Sequence, residues 1–298
     1  MTEFQIVSLV LGILASAVAL HAVFLAPRQL RITQTEVTIP GLSREFDGYT
    51  IVLLSDLHQA TLPGLSHSRR AARIAQSFEP DLIAFTGDFG VSFHYSSAAS
   101  APFYRSGMRA LAPVIANLTA PDGLVAVLGN HDYYYDAPAV VEWLRSLQVK
   151  VLVNEAFTVE RNGAMLAIAG VDDTAQGTVD PEGGCGAIPA EVPCVILAHN
   201  PDAVLQFSAS LPVSLVLAGH THGGQVILPW VGALVRNARI CAAGHTRGWV
   251  PNARVPLFVS AGVGSQIPLR FRCPPEVVIL RLRSVDGETA VRSAPVYG

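Results

Sequence analysis

Between Tyr49 and His222 the chain repeats one pattern five times: a short apolar, often β-branched run stops at a cluster of Asp, Asn and His. Tyr49–Ser55 stops at Asp56-Leu57-His58, Leu82–Thr86 at Gly87-Asp88, and Leu124–Leu128 at Gly129-Asn130-His131-Asp132. Val195–Ala198 stops at His199-Asn200, and Leu215–Ala218 at Gly219-His220-Thr221-His222. Continuous apolar runs of this length read as strands buried on both faces. Helical stretches are predicted between them at 69–78, 103–118, 138–147 and 202–208, and further strands at 157–161, 164–169, 257–260 and 277–282. Strands alternating with helices predict an α/β fold with a buried, largely parallel sheet. Ligands of such sheets bind beyond the carboxyl ends of the strands, which is where all five clusters fall.

Each cluster is weak evidence alone, because a single Asp-x-His or Gly-Asp arises by chance. Their ordered combination carries more. Five of the nine histidines lie within them: His58, His131, His199, His220 and His222. Imidazole and carboxylate donors together suit Mn²⁺, Fe²⁺, Zn²⁺ or Co²⁺. A carboxylate can bridge two ions, and two ions about 3.5–4 Å apart can activate one water and clamp a phosphoryl group. Glycines beside the clusters (Gly87, Gly129, Gly219, Gly223, Gly224) permit tight turns and close backbone approach. The plainer alternatives are that Asp56 or Asp88 caps a helix and that His131 is structural. His94 and His245 read as loop histidines unless they reach substrate, and His67 receives no role.

The ordered set resembles the calcineurin-like metallophosphoesterase family over residues 50 to about 282. The stretches Gly219-His220-Thr221-His222-Gly223-Gly224-Gln225 and Arg270-Phe271-Arg272-Cys273-Pro274-Pro275-Glu276 resemble its membrane-tethered or exported bacterial phosphodiesterases of the YkuE/YaeI type. The resemblance implies a four-layer α/β/β/α sandwich of two mixed β-sheets. It implies two divalent metal ions, with Asp56, His58 and His222 on the first, Asn130, His199 and His220 on the second, and Asp88 bridging. His131 would contact the phosphate and Asp132 would orient His131. The implied reaction is attack of a metal-bridging hydroxide on phosphorus, in a phosphodiesterase or pyrophosphatase. A phosphomonoesterase acting on a soluble substrate, or a non-catalytic metal-binding scaffold, is the alternative.

Composition places this domain beside a membrane. Hydrophobic residues make up 50% of the 298-residue chain and charged residues only 14%. Part of the excess is the run Ile6–Ala26, interrupted only by Ser8, Ser16 and His21. As a helix its 21 residues would span about 30 Å, a bilayer's hydrocarbon thickness. Met1-Thr2-Glu3 lacks the basic n-region of a signal peptide, although Ala15-Ser16-Ala17 resembles a cleavage site. Residues 1–27 are therefore expected to be an anchor, 28–48 a linker leading into an edge strand, and 49–298 the catalytic domain. Arg28 and Arg31 follow the run and nothing basic precedes it, which predicts a cytoplasmic domain; an exported form is the alternative. An anchor beside a phosphoesterase suggests a membrane substrate, amphiphilic or lipid-linked.

A net charge of −3 offers no footprint for nucleic acid. Cys185, Cys194, Cys241 and Cys273 form no Cys-x-x-Cys pair and read as buried free thiols. The apolar stretch 228–235 reads as a buried strand of the second sheet. The sharper alternative is an apolar lip, with Trp230 suited to a bilayer interface.

Overall fold

The computed structural model describes residues 2–59, 64–92, 97–241 and 244–285. The chain begins with α1 (Glu3–Leu20), capped by Thr2, and passes through a π turn and a 3₁₀ turn to Arg28. It continues through β1 (Arg31–Ile39), β2 (Thr50–Leu54), α2 (Leu65–Ser77), β3 (Leu82–Thr86), α3 (Ser97–Ile115) and β4 (Leu124–Val127). Next come α4 (Asn130–Tyr135), α5 (Ala137–Ser146), β5 (Val149–Val151), β6 (Glu155–Arg161), β7 (Ala164–Gly170), α6 (Pro181–Cys185), β8 (Cys194–Leu197) and β9 (Val213–Ala218). The last elements are β10 (Ile227–Leu228), β11 (Gly232–Ala233), β12 (Gly248–Trp249), β13 (Leu257–Val259) and β14 (Glu276–Ser284).

Two six-stranded mixed sheets result, ordered β1-β14-β2-β3-β4-β5 and β12-β13-β9-β8-β7-β6. The centre of each sheet is parallel, as the apolar runs predict. Antiparallel pairing enters where β14 meets β2, β6 meets β7 and β12 meets β13. Alternation along β2 shows how the layers form. Ile51 and Leu53 point into the seam between the sheets, where they join Leu166, Ile168, Val195 and Leu217. Val52 and Leu54 point the other way, onto the layer that includes Ala71, Leu111 and Val140 from α2, α3 and α5. Burial of each such side chain contributes about 1.5–3 kcal/mol, so both faces must be covered.

The molecule is thus an α/β/β/α sandwich, with a thin outer layer on the second sheet. There α6, a 3₁₀ turn at Pro201–Gln206 and irregular chain do the covering. The helix predicted at 202–208 is that 3₁₀ turn, started by Pro201 and by Asn200, whose side chain caps Asp202. Stretch 228–235 is not a strand of the second sheet. It forms the separate β10–β11 hairpin, with Trp230 fully exposed at its turn. The apolar run stops at two residues on each side of that turn, too short to reach the sheet. All four cysteines are buried and free. No residue of α1 is buried, whereas Ala22, Ala26 and Pro27 after it pack against the domain.

Candidate metal centre

The carboxyl ends of β2, β3 and β4 from one sheet meet those of β8 and β9 from the other, and each end delivers its cluster. Asp56 and His58 follow β2, Asp88 follows β3, Asn130 and His131 open α4 after β4, His199 follows β8, and His220 and His222 follow β9. All are buried except His220, which is partly covered.

The side-chain donors converge. His58 Nε2 lies 3.2 Å from His222 Nε2, and Asp56 Oδ1 lies 3.9 and 3.7 Å from the same two nitrogens. On the other side, His199 Nε2 lies 3.0 Å from Asn130 Oδ1 and 3.1 Å from His220 Nδ1. Asp88 Oδ2 stands between the groups, 3.4 Å from His58 Nε2 and 3.4 Å from His199 Nε2. The His58 ring donates Nδ1–H to Gly90 O (3.1 Å), and the His199 ring donates Nδ1–H to Thr86 O (2.7 Å). Those bonds fix the tautomer and turn both Nε2 lone pairs inward. Two donors on a common cation at 2.0–2.2 Å bonds sit about 3–3.5 Å apart at tetrahedral or octahedral angles. The donor set therefore fits divalent cations.

For Asp56 and three of the imidazoles, electrostatics agree with that fit; Asp88 and His199 retain protons that a cation would displace. Burial, reinforced by neighbouring imidazoles, drives His58 well below its usual range, His220 to about 3 and His222 to about 4. These rings are neutral, ligand-competent donors at pH 7. Burial raises Asp56, but the charges of His222 and His199 and a hydrogen bond from Ser55 outweigh it and hold the carboxyl low. Asp88 goes well up, through burial and through the nearby Asp132 and Asp56. Burial lowers His199, but Asp88 and Asp56 overcome it and lift the ring to about 9.

His131 approaches the same cluster. One of its ring nitrogens lies within 4.8 Å of donor atoms of His58 and Asp88. Its Nδ1 contacts Ser92 O at 2.5 Å, and burial takes the ring to about 4. Asp132, expected to orient His131, has its hydrogen bonds elsewhere in this structure. The Asp132 carboxylate instead accepts from the backbone N–H groups of Asp88 (3.0 Å), Phe89 (3.0 Å) and Gly129 (2.8 Å), and from the Tyr104 hydroxyl. It ties the Asp88 turn to the Asn130 turn, because a carboxylate at the start of α4 faces exposed N–H groups.

Sequence reasoning assigned no role to the brace behind the site. Arg270 is fully buried; its guanidinium donates to His222 O (2.6 Å) and to Gly264 O (2.6 Å). Gly264 N donates to Asp56 O at 2.7 Å, so one arginine holds two candidate-ligand turns. Cys273 Sγ reaches Gly223 O at 3.2 Å, and Glu276 accepts from Ala261 N at 2.7 Å. The stretch 270–276 thus buttresses the His222 and Asp56 turns. Its signal was a charged and thiol-bearing segment next to a strand, which sequence alone cannot place. Gly219 leaves no room for a side chain, since a Cβ there would lie 1.8 Å from Ser55 Oγ. His67 is buried away from the cluster, His245 is exposed, and His94 lies outside the described residues.

Comparison with known proteins adds the final observation. The calcineurin-like phosphoesterase profile matches residues 49–224. The chain is 30% identical to the metallophosphoesterase YkuE of Bacillus subtilis (strain 168), over 89% of this chain and 90% of that one. It is 31% identical to phosphodiesterase YaeI of Escherichia coli (strain K12), over 78% of this chain and 82% of YaeI. It is 25% identical to the UDP-2,3-diacylglucosamine pyrophosphatase LpxG of Chlamydia muridarum, over 86% of this chain and 90% of LpxG.

Proposed function

Because the chain belongs to the calcineurin-like phosphoesterase family, we propose that it is a two-metal phosphodiesterase or pyrophosphatase acting on an amphiphilic substrate at a membrane. Asp56, His58 and His222 would hold one ion, Asn130, His199 and His220 the other, and Asp88 would serve both. The observation that carries this reading is the equal 3.4 Å spacing of Asp88 Oδ2 from His58 and His199, one from each donor group. Divalent ions held there lower the pKa of a water towards 7 and offset phosphoryl charge. His131 adds a ring nitrogen beside the same donors; a bound phosphate, whose negative charge favours the protonated ring, would let it stabilise developing charge or protonate the departing oxygen. Asp132 keeps the Asp88 and Asn130 turns in register.

Two features support the membrane setting. The helix from Glu3 to Arg28 is long and apolar enough to cross a bilayer, and Arg28 and Arg31 at its carboxyl end support a cytoplasmic domain. The similarity to LpxG, whose name specifies a lipid-linked pyrophosphate, supports the substrate class.

Elemental analysis of the purified chain, followed by assays on bis-p-nitrophenyl phosphate and p-nitrophenyl phosphate across Mn²⁺, Fe²⁺, Zn²⁺ and Co²⁺, tests the reading. Two bound ions and a preference for the diester are expected. A preference for the monoester contradicts the diesterase, and inertness towards both with metal bound contradicts catalysis. Asp88→Asn should lose both ions and at least about 100-fold in kcat. His131→Ala should lower kcat about 100-fold with both ions retained, and loss of an ion there would make His131 a ligand.

A further inference from the structure

Between Asp202 and Glu276 the chain carries six of its 20 basic residues and none of its 23 acidic ones. This segment contains the β10–β11 hairpin, where Trp230 is fully exposed and Val231, Leu234 and Val235 are 59%, 55% and 40% exposed. Exposed apolar side chains clustered within six residues are unusual on a soluble surface. Exposed Arg236 and Arg239 follow directly, and exposed Arg272 lies on the segment that pairs with the base of the hairpin.

The hairpin is fastened to the anchor. Ile227 N donates to Phe271 O at 3.0 Å and Phe271 N to Gln225 O at 2.9 Å. The next residue along, Arg270, donates its backbone N–H to Ala22 O at 2.9 Å, in the last turns of the apolar helix. Gln225 also binds Ile267 O at 3.0 Å, and Ile267 is itself 60% exposed. Trp230 is four residues beyond Val226, so it stands at most about 13 Å along the chain from a strand in contact with the anchor's exit. The same base of the hairpin runs back, through Gln225, Gly224 and Gly223, to His222.

We propose that the β10–β11 hairpin is a membrane-docking lip: Trp230, Val231, Leu234 and Ile267 enter the interface of an anionic bilayer beside the anchor, with Arg236, Arg239 and Arg272 at headgroup level. The proposal rests on reading α1 as an anchor. The occupant is lipid rather than a protein or a second copy because the patch is continuous with a bilayer-length helix and the exposed charged side chains of the hairpin segment itself, Arg236 and Arg239, are basic, although Asp202 accepts from the Arg239 N–H at 2.8 Å. Amphipathic Trp suits that depth, and basic residues near an anionic surface add electrostatic attraction. Docking would bring the mouth of the metal centre to the headgroups, where a diester carrying apolar tails presents its phosphorus.

The full chain, reconstituted in nanodiscs of phosphatidylcholine with or without phosphatidylglycerol, tests this when part of the lipid carries bromine high on its acyl chains. Bromine quenches tryptophan only at contact. In phosphatidylglycerol discs, clear quenching of the wild type is expected, with most of it lost in Trp230→Ser; Trp143 and Trp249, both half-buried in the domain, provide the unquenched remainder. Val231→Asp/Leu234→Asp should lose the same quenching, while hydrolysis of soluble bis-p-nitrophenyl phosphate stays within about twofold, because neither residue touches the site. Quenching that is equal with and without Trp230, or absent altogether, overturns the lip. So does a detergent-solubilised dimer that the double Asp variant turns into monomer, which would assign the patch to a second copy. The optical readout needs no turnover. A quenched but inert protein would sink the catalytic reading alone, and an active but unquenched one the lip alone.

Discussion

Five of the seven candidate ligands, Asp56, His58, Asp88, His220 and His222, hold positive φ angles between 40° and 67°. A non-glycine residue in this left-handed region costs about 1 kcal/mol or more, and such strain persists only where surrounding contacts impose it. Here glycine would relieve the strain and forfeit the donor. The imposing contacts are visible: His220 N donates to Asp56 Oδ2 at 3.1 Å, His58 N to Asp88 O at 2.9 Å, and Arg270 grips His222 O. Arg270→Met would orphan the carbonyls of His222 and Gly264, destabilising the fold by about 3 kcal/mol. It should weaken the ion proposed for Asp56, His58 and His222 before the one proposed for Asn130, His199 and His220, with Arg270→Lys restoring part of the affinity. Metal titration followed by calorimetry checks this, and equal loss at both positions would reduce Arg270 to a general packing role.

At the scale of elements, β2, β3, β4, β8 and β9 each do one job: the strand ends abruptly, and the turn after it is aimed at the site. α2 shows what the covering helices add. His67 on α2 is buried against the Arg270 segment, and burial, with the charges of Arg70 and Arg270, lowers it to about 4. Its folded value lies below its unfolded one, so its contribution is complete above pH 6.5 and is lost as pH falls from 6.5 towards 4. The loss amounts to about 2–3 kcal/mol. His67→Leu should therefore flatten the stability curve across that window and leave it unchanged above pH 7. Denaturant melts at pH 7 and pH 5 make the comparison, and parallel curves for the two proteins would remove His67 from the acid response.

For the whole molecule, the centre lies between two sheets that share one apolar seam, so binding at the site and folding of the sandwich are coupled. Chelating the ions from a protein loaded at about 100 times Kd removes about 2.7 kcal/mol and should lower Tm by about 5–10 °C. Asp88 is raised well above the ordinary carboxylate range, so reloading should release protons at neutral pH and apparent affinity should rise with pH. A pH indicator in weak buffer follows the release, and uptake without protons would contradict the burial of that carboxylate.

The sequence by itself determined the strands, their polar ends and hence which residues are the candidate donors, because period and abrupt polarity are local properties of the chain. It also determined a bilayer-length apolar run, for the same reason. Tertiary structure alone decided that Asp132 ties two turns together, since its partners Asp88 and Phe89 lie more than forty residues away. It likewise decided that Arg270 is buried behind His222, and that 228–235 is an exposed hairpin rather than a strand. An apolar stretch reads the same whether a sheet or open surface receives it. Only the packing of distant segments says which surface is already covered.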